Sequence, residues 1–149
     1  MSEEKRELFN KINQDLQNAM RAKDEFKLGV LRMMKSKILY VNARGDLPDT
    51  ELIKILTKYG KDIKESIEEF NKVGRTAEVE KSRKELAIVQ SYLPKELSPD
   101  EIKAVVTQTI TRLGITSIKE MGRAMKEVTA NNPGIDGKLV SQFVREILK

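Results

Sequence analysis

Cationic side chains recur at helical spacing in the last third of the chain. Lys119, Arg123 and Lys126 are four and three residues apart, so an α-helix places them on one face. The opposite face of that segment is apolar and carries Ile118, Met121, Ala124, Met125 and Val128. A second segment repeats the plan, with Lys138, Arg145 and Lys149 opposite Leu139, Val140, Phe143, Val144 and Ile147. Because Lys and Arg bind phosphate oxygens, the two basic faces are candidates for contact with nucleic acid.

The two basic faces also have a simpler explanation. Any amphipathic helix that packs one face against a core leaves its charged residues in water. On the residues alone, this explanation is favoured over phosphate contact. The formal net charge of +5 and the sequence pI of about 9.3 permit an anionic partner without requiring one.

Two glycines lie beside the basic residues. Gly122 falls inside the first basic helix, where glycine is about 1 kcal/mol less favourable than alanine, and we expect it to let a neighbouring helix approach closely. Close approach of an RNA backbone is the functional alternative. Gly137 follows Asp136, whose carboxylate is expected to cap a helix and to repel a phosphate there. The candidate nucleic-acid-binding set is therefore Lys119, Gly122, Arg123, Lys126, Gly137, Lys138, Arg145 and Lys149.

The chain lacks the residues that most often carry catalysis. It contains no histidine and no cysteine, which removes the commonest general base, thiolate nucleophiles, disulfides and thiolate metal sites. No glycine-rich phosphate loop, nucleophile elbow or metal-ligand cluster is visible. We therefore expect no catalytic residues, no metal, no cofactor and no enzymatic activity from this chain on its own.

The composition is typical of a water-soluble globular protein, with 39% hydrophobic and 34% charged residues. No stretch approaches the roughly 20 apolar residues needed to span a bilayer. The segment Met1–Lys5 also lacks the apolar run of a signal peptide. These features predict a cytoplasmic protein with no membrane partner.

Apolar residues at helical spacing predict four long helices before Pro94, at about residues 3–23, 25–41, 49–72 and 76–92. The second has apolar residues on most sides, which predicts a central, buried helix; they are Phe26, Leu28, Val30, Leu31, Met34 and Ile38. Aromatic residues make up only 5% of the chain. The methionines at 20, 33, 34, 121 and 125 are therefore expected to fill gaps in an aliphatic core.

Three shorter helices are predicted after Pro94. Ser98-Pro-Asp-Glu101 and Ser117-Ile-Lys-Glu120 each have the spacing of a capping box, and Asp136 can cap the last helix. The predicted fold is all-α. Its N-terminal domain, residues 1–93, is a bundle of about four long helices, and residues 94–149 form a small three-helix tail domain.

Four segments together resemble the YqeY family. They are Leu28-Gly-Val-Leu-Arg-Met-Met-Lys-Ser-Lys-Ile38, Tyr92-Leu-Pro-Lys-Glu-Leu97, Met121-Gly-x-x-Met125 and Asp136-Gly-x-x-Val140. The hinge segment, residues 92–97, and the two glycine motifs are the most specific to this family. Members of this family are free-standing relatives of the C-terminal part of GatB, the B subunit of the tRNA-dependent amidotransferase.

The resemblance implies that the tail binds the outer corner of tRNA, as the equivalent part of GatB does. The chemistry of the amidotransferase lies in a preceding domain and in a separate amidase subunit. We therefore expect a non-catalytic module that binds tRNA, or an amidotransferase-type complex, through its tail. Two alternatives remain: a protein-interaction adaptor without RNA, and an accessory in carbon–nitrogen ligation with glutamine as amido donor.

Overall fold

The computed structural model describes residues 5–149, and these residues form helices and connecting turns without a strand. The helices are α1 (Leu8–Ala22), α2 (Glu25–Val41), α3 (Asp49–Lys72), α4 (Thr76–Gln90), α5 (Pro99–Leu113), α6 (Met121–Asn131) and α7 (Gly137–Ile147). A short 3-10 turn, Ile118–Glu120, precedes α6. The all-α prediction is confirmed. Residues 3 and 4 of the predicted first helix lie outside the described residues.

The chain divides into two compact units after Pro94. In the first unit, α2 packs against α1, α3 and α4, and α3 packs along α4. The core of this unit is mainly aliphatic and centres on Ile12, Leu31, Met34, Ile38, Leu52, Leu56 and Val89, which are all fully buried. Two tyrosines at the edge of this core make side-chain hydrogen bonds. Tyr59 donates to Glu85 at 2.6 Å, and Tyr92 donates to Asp15 at 2.5 Å.

Helix α2 is central, as predicted, but it is not buried all round. Its neighbours cover the side that carries Leu31, Met34 and Ile38, and they leave the other side in water. Phe26 is 36% exposed and Met33 is 48% exposed, so the predictions that Phe26 faces the core and that Met33 fills a gap in it are wrong. Met20 is also half exposed, whereas Met34 is fully buried as expected.

The second unit, Lys95–Lys149, is built from α5, α6 and α7, which pack pairwise around a separate core. That core is formed by Ile102, Val106, Ile110, Ile115, Ala124, Val128, Val140, Val144 and Leu148. Met121 and Met125 are half-buried against it. The capping box at Ser98 is confirmed: the Ser98 hydroxyl accepts from Glu101 N, and Glu101 Oε1 accepts from Ser98 N.

Three predicted helix boundaries are wrong. The first helix begins at Leu8, so the described residues 5–7 of its predicted range precede it. The fourth helix ends at Gln90, so Tyr92 lies in the following turn. The predicted capping box at Ser117 does not form, because the Ser117 hydroxyl accepts from Lys119 N instead of Glu120 N. The Glu120 carboxylate lies 3.8 Å from Arg123 instead of turning back to Ser117. The residues after Ser117 therefore form a 3-10 turn, and α6 begins at Met121.

Candidate nucleic-acid interface

The second unit presents six cationic side chains from the predicted set, which we call the tail cations: Lys119, Arg123, Lys126, Lys138, Arg145 and Lys149. All six are exposed. The first follows Ile118 in the 3-10 turn, the next two belong to α6, and Lys138 and Arg145 belong to α7. Val128 and Val144 on the inner faces of α6 and α7 are fully buried, which directs the basic side of each helix to water.

Most of the tail cations have no partner among the described residues. Arg123 lies 3.8 Å from Glu120, at the outer limit of an ion pair. The other five make no ion pair or side-chain hydrogen bond within residues 5–149. Exposed ammonium and guanidinium groups without a protein carboxylate remain available to an anionic partner.

An acidic residue on α6 is neutralised from a neighbouring helix. Arg112 of α5 donates to Glu127 Oε1 at 2.7 Å, and this hydrogen bond lowers the pKa of the Glu127 carboxyl below its usual value. Asn131 adds a weaker bond at 3.4 Å to the same oxygen. The carboxylate next to Lys126 is therefore held by Arg112, which leaves Lys126 free of it. Arg112 was not among the predicted residues, because only the packing of α5 on α6 brings it to Glu127.

Gly122 differs from its expectation. It is the second residue of α6 rather than an interior residue, and it is exposed. A Cβ added there would meet no atom within 4 Å, so the predicted close approach of a neighbouring helix is wrong. The physical reason is that the 3-10 turn places Gly122 at the exposed start of α6. Nothing within the described chain requires a glycine at this position.

Gly137 is the first residue of α7 and is equally open, with no atom within 4 Å of an added Cβ. The preceding Asp136 accepts from Lys138 N at 3.0 Å and from Leu139 N at 3.3 Å, so it caps α7 as expected. Its carboxylate occupies the site where an anion would otherwise meet these amides. The start of α7 therefore offers an open backbone surface beside a carboxylate, not an empty anion site.

Tyr92, the first residue of the hinge segment, packs within the first unit. Tyr92 is buried, its hydroxyl donates to Asp15 of α1, and the Lys11 ammonium lies 5.0 Å from the centre of its ring. Burial, followed by the hydrogen bond to Asp15, raises the pKa of Tyr92. These contacts attach the residues after α4 to α1.

The chain also matches a known protein family along almost its whole length. Residues 9–148 match the YqeY family, described as Yqey-like protein. The chain belongs to this family. The match spans both units and includes both glycine motifs.

Two curated fungal proteins are similar to this YqeY-like chain, and both are named "Altered inheritance of mitochondria protein 41, mitochondrial". The one from Pyrenophora tritici-repentis is 28% identical over 145 residues, covering 93% of this chain and 79% of that protein. The one from Lachancea thermotolerans is 35% identical over 107 residues, covering 68% of this chain and 57% of that protein. This chain thus spans less than two thirds of the second relative.

Neither a metal site nor a membrane span is found in residues 5–149. No group of three Asp or Glu side chains in this part is placed to hold a metal ion. No described helix combines the length and the apolar character that crossing a bilayer requires.

Proposed function

We propose that this YqeY-like protein is a non-catalytic helical module that binds tRNA, or a tRNA-dependent amidotransferase-type complex, through its second unit. The observation that carries the proposal is that five tail cations without a partner in residues 5–149 and two open glycines lie in the turn before α6, on α6, on α7 and just after α7. Cations supply phosphate affinity, and glycines without a Cβ let a sugar–phosphate backbone lie close to the helix starts.

The proposed surface positions a nucleic acid without reading its sequence. Lysine and arginine contacts to phosphates carry no base information, and the exposed side of α6 and α7 offers no aromatic residue for base stacking. Recognition would depend on the shape of the folded RNA, which suits a structured RNA such as tRNA better than a single strand.

Cellular location is part of this proposal. The sequence predicts the cytoplasm, whereas the names of the two fungal relatives assign those proteins to mitochondria. Transfer RNA is present in both compartments, so the proposed activity is compatible with either.

The proposal is tested by the salt dependence of tRNA binding to the full chain. Each phosphate contact should contribute about −0.7 to −0.9 to the slope of log affinity against log salt concentration. Fluorescence anisotropy with labelled tRNA should therefore give a slope steeper than about −2 for a surface that engages several cations. A flat salt profile, or no binding at micromolar protein, would reject direct binding of tRNA.

A further inference from the structure

We propose that the exposed side of α2 is a docking site for an acidic amphipathic helix of another protein. The site, which we call the α2 seam, consists of Phe26, Gly29, Met33, Ser36 and Tyr40. It belongs to the first unit and is independent of the proposed tRNA surface.

The spacing and exposure of the seam match a helix-packing surface that has no partner within residues 5–149. Its five residues follow one another at intervals of three, four, three and four, which is the repeat of a seam between two packed helices. Phe26 is 36%, Met33 is 48% and Tyr40 is 93% exposed, while the opposite side of α2 is buried in the core. Large apolar side chains at every seventh position of an exposed helix face indicate an unfilled interface.

Gly29 has no role within the described chain that would explain it. Glycine in a helix interior is about 1 kcal/mol less favourable than alanine. A Cβ added at Gly29 would meet no atom within 4 Å, so no packing constraint in residues 5–149 excludes a larger residue. Gly29 and Ser36 are small residues and leave gaps between the larger residues Phe26, Met33 and Tyr40. This alternation of large and small residues creates the holes into which side chains of a facing helix insert.

One end of the seam opens into a shallow depression. Phe26 lines it together with Ala77, Glu80, Lys81 and Lys84 of α4, and its volume is about 410 Å³. An apolar side chain from a docked helix could contact the Phe26 ring there, while Lys81 and Lys84 remain at the edge of the contact.

The charges around the seam select an acidic occupant. Its immediate rim contains four cations and two anions: Glu25, Arg32, Lys37, Glu80, Lys81 and Lys84. One of the cations, Lys37, also contacts the first unit, since its ammonium lies 5.2 Å from the centre of the Tyr59 ring. A partner helix with glutamates beside its apolar stripe complements this rim. A second copy of the chain does not. With the two seams fully overlapped, antiparallel α2 helices would bring Arg32 against Arg32, and parallel ones would bring Arg32 against Lys37. The apolar seam itself has no counterpart in a nucleic-acid backbone.

The test uses two synthetic amphipathic helices of about three heptads each, with leucine at the core positions and either glutamate or lysine at all flanking positions. Binding of each labelled peptide to the full chain is measured by fluorescence anisotropy. The glutamate peptide should bind at least about tenfold more tightly than the lysine peptide. Met33→Asp should weaken binding of the glutamate peptide by at least about tenfold. Val73→Asp, at an exposed apolar residue that belongs neither to the seam nor to the lining of the depression, should leave this binding unchanged.

A charge exchange makes the test independent of folding. Arg32→Glu combined with Lys37→Glu should reverse the order of the two peptides, a gain of binding that an unfolded variant cannot show. Equal binding of both peptides, or equal binding to the Met33→Asp and Val73→Asp variants, would overturn the proposal. Two further results would overturn it. Sedimentation could show a dimer that Met33→Asp disrupts, or Met33→Asp could abolish tRNA binding, and either result would assign the seam to a different occupant.

Discussion

At the scale of single residues, the two kinds of glycine in this chain contrast sharply. Gly45 has a φ of +67°, and a Cβ there would press into the Phe9 ring. Gly122 and Gly137 have open surroundings and no left-handed backbone. The structure of the chain thus requires glycine at 45 but not at 122 or 137, although both of the latter lie in the segments through which the sequence resembles the YqeY family.

Gly122→Ala should therefore separate stability from binding. Alanine reduces the conformational freedom of the unfolded chain, so the free energy of unfolding should stay the same or rise by up to about 0.5 kcal/mol. Affinity for tRNA should fall, because a methyl group would stand between the backbone of α6 and the RNA. Gly45→Ala is the contrasting control and should lower the free energy of unfolding by at least about 2 kcal/mol. Chemical denaturation and anisotropy measure the two effects; unchanged tRNA affinity for Gly122→Ala would remove Gly122 from the interface.

The two buried tyrosines predict how stability changes at high pH. Burial, followed by hydrogen bonding to Glu85 and Asp15, raises the pKa of Tyr59 and of Tyr92 above the ordinary value of about 10. In the unfolded chain both phenols ionise near pH 10, while in the folded chain they stay neutral. The unfolded state then binds fewer protons, so this contribution to stability is complete below pH 10 and declines as the pH rises further.

The double variant Tyr59→Phe, Tyr92→Phe isolates this contribution. Near neutral pH it should be less stable than the native chain by about 1 kcal/mol for each lost hydrogen bond. Between pH 10 and 11 the free energy of unfolding of the native chain should fall more steeply than that of the double variant. Urea denaturation across this range measures the difference, and parallel pH profiles would contradict it.

At the scale of elements, local sequence signals were reliable where they acted through neighbouring backbone groups. Ser98-Pro-Asp-Glu101 predicts the start of α5 because both hydrogen bonds of its capping box lie within four residues. Ser117 to Glu120 has the same spacing, yet Ser117 bonds to Lys119 N and Glu120 lies beside Arg123. The spacing alone does not distinguish these outcomes, because the geometry of the chain entering α6 decides between them.

The capping box gives a prediction confined to one element. Ser98→Ala removes the hydroxyl that accepts from Glu101 N and should lower the free energy of unfolding of the second unit by about 1 kcal/mol. Ser117→Ala is the matched change at the 3-10 turn, where no reciprocal bond is lost, and should cost less. Hydrogen exchange of the α5 amides for Ser98→Ala, and of the α6 amides for Ser117→Ala, measures local opening. Equal effects of the two variants would show that the capping box adds nothing.

The exposed side of α2 could not be predicted from composition. Apolar residues on most sides of a helix normally indicate complete burial, and α2 does lie among three other helices. Three neighbours do not enclose its whole circumference, so Phe26, Met33 and Tyr40 remain in water. The signal that was available is the alternation of these residues with Gly29 and Ser36, since a core-facing stripe has little reason to contain an interior glycine.

At the scale of the whole molecule, the two units have separate hydrophobic cores. The all-α fold and the types of its elements followed from apolar periodicity. The tail cations could also be identified from their spacing, because residues on the exposed face of a helix recur every three or four positions. The neutralisation of Glu127 by Arg112 could not be predicted from spacing. It depends on how α5 packs against α6, and the two residues are 15 positions apart in the sequence.

The separate core of the second unit predicts a functional fragment. A chain of residues 95–149 should be helical by circular dichroism and should unfold cooperatively, although such a small core gives modest stability. It should retain most of the tRNA affinity of the full chain, because the tail cations all belong to it. A folded fragment that does not bind tRNA would place the interface in the first unit.

The measurement that tests the central claim most directly compares two charge reversals in the full chain. Arg123→Glu with Lys126→Glu changes the proposed surface, and Lys61→Glu with Lys72→Glu makes the same change of net charge at exposed positions of α3. The first pair should weaken tRNA binding at least about tenfold and reduce the salt slope by about two, with unfolding unchanged. The second pair should have only a small effect. Equal losses in both variants would mean that net charge alone governs binding, and would contradict a tRNA surface on α6 and α7.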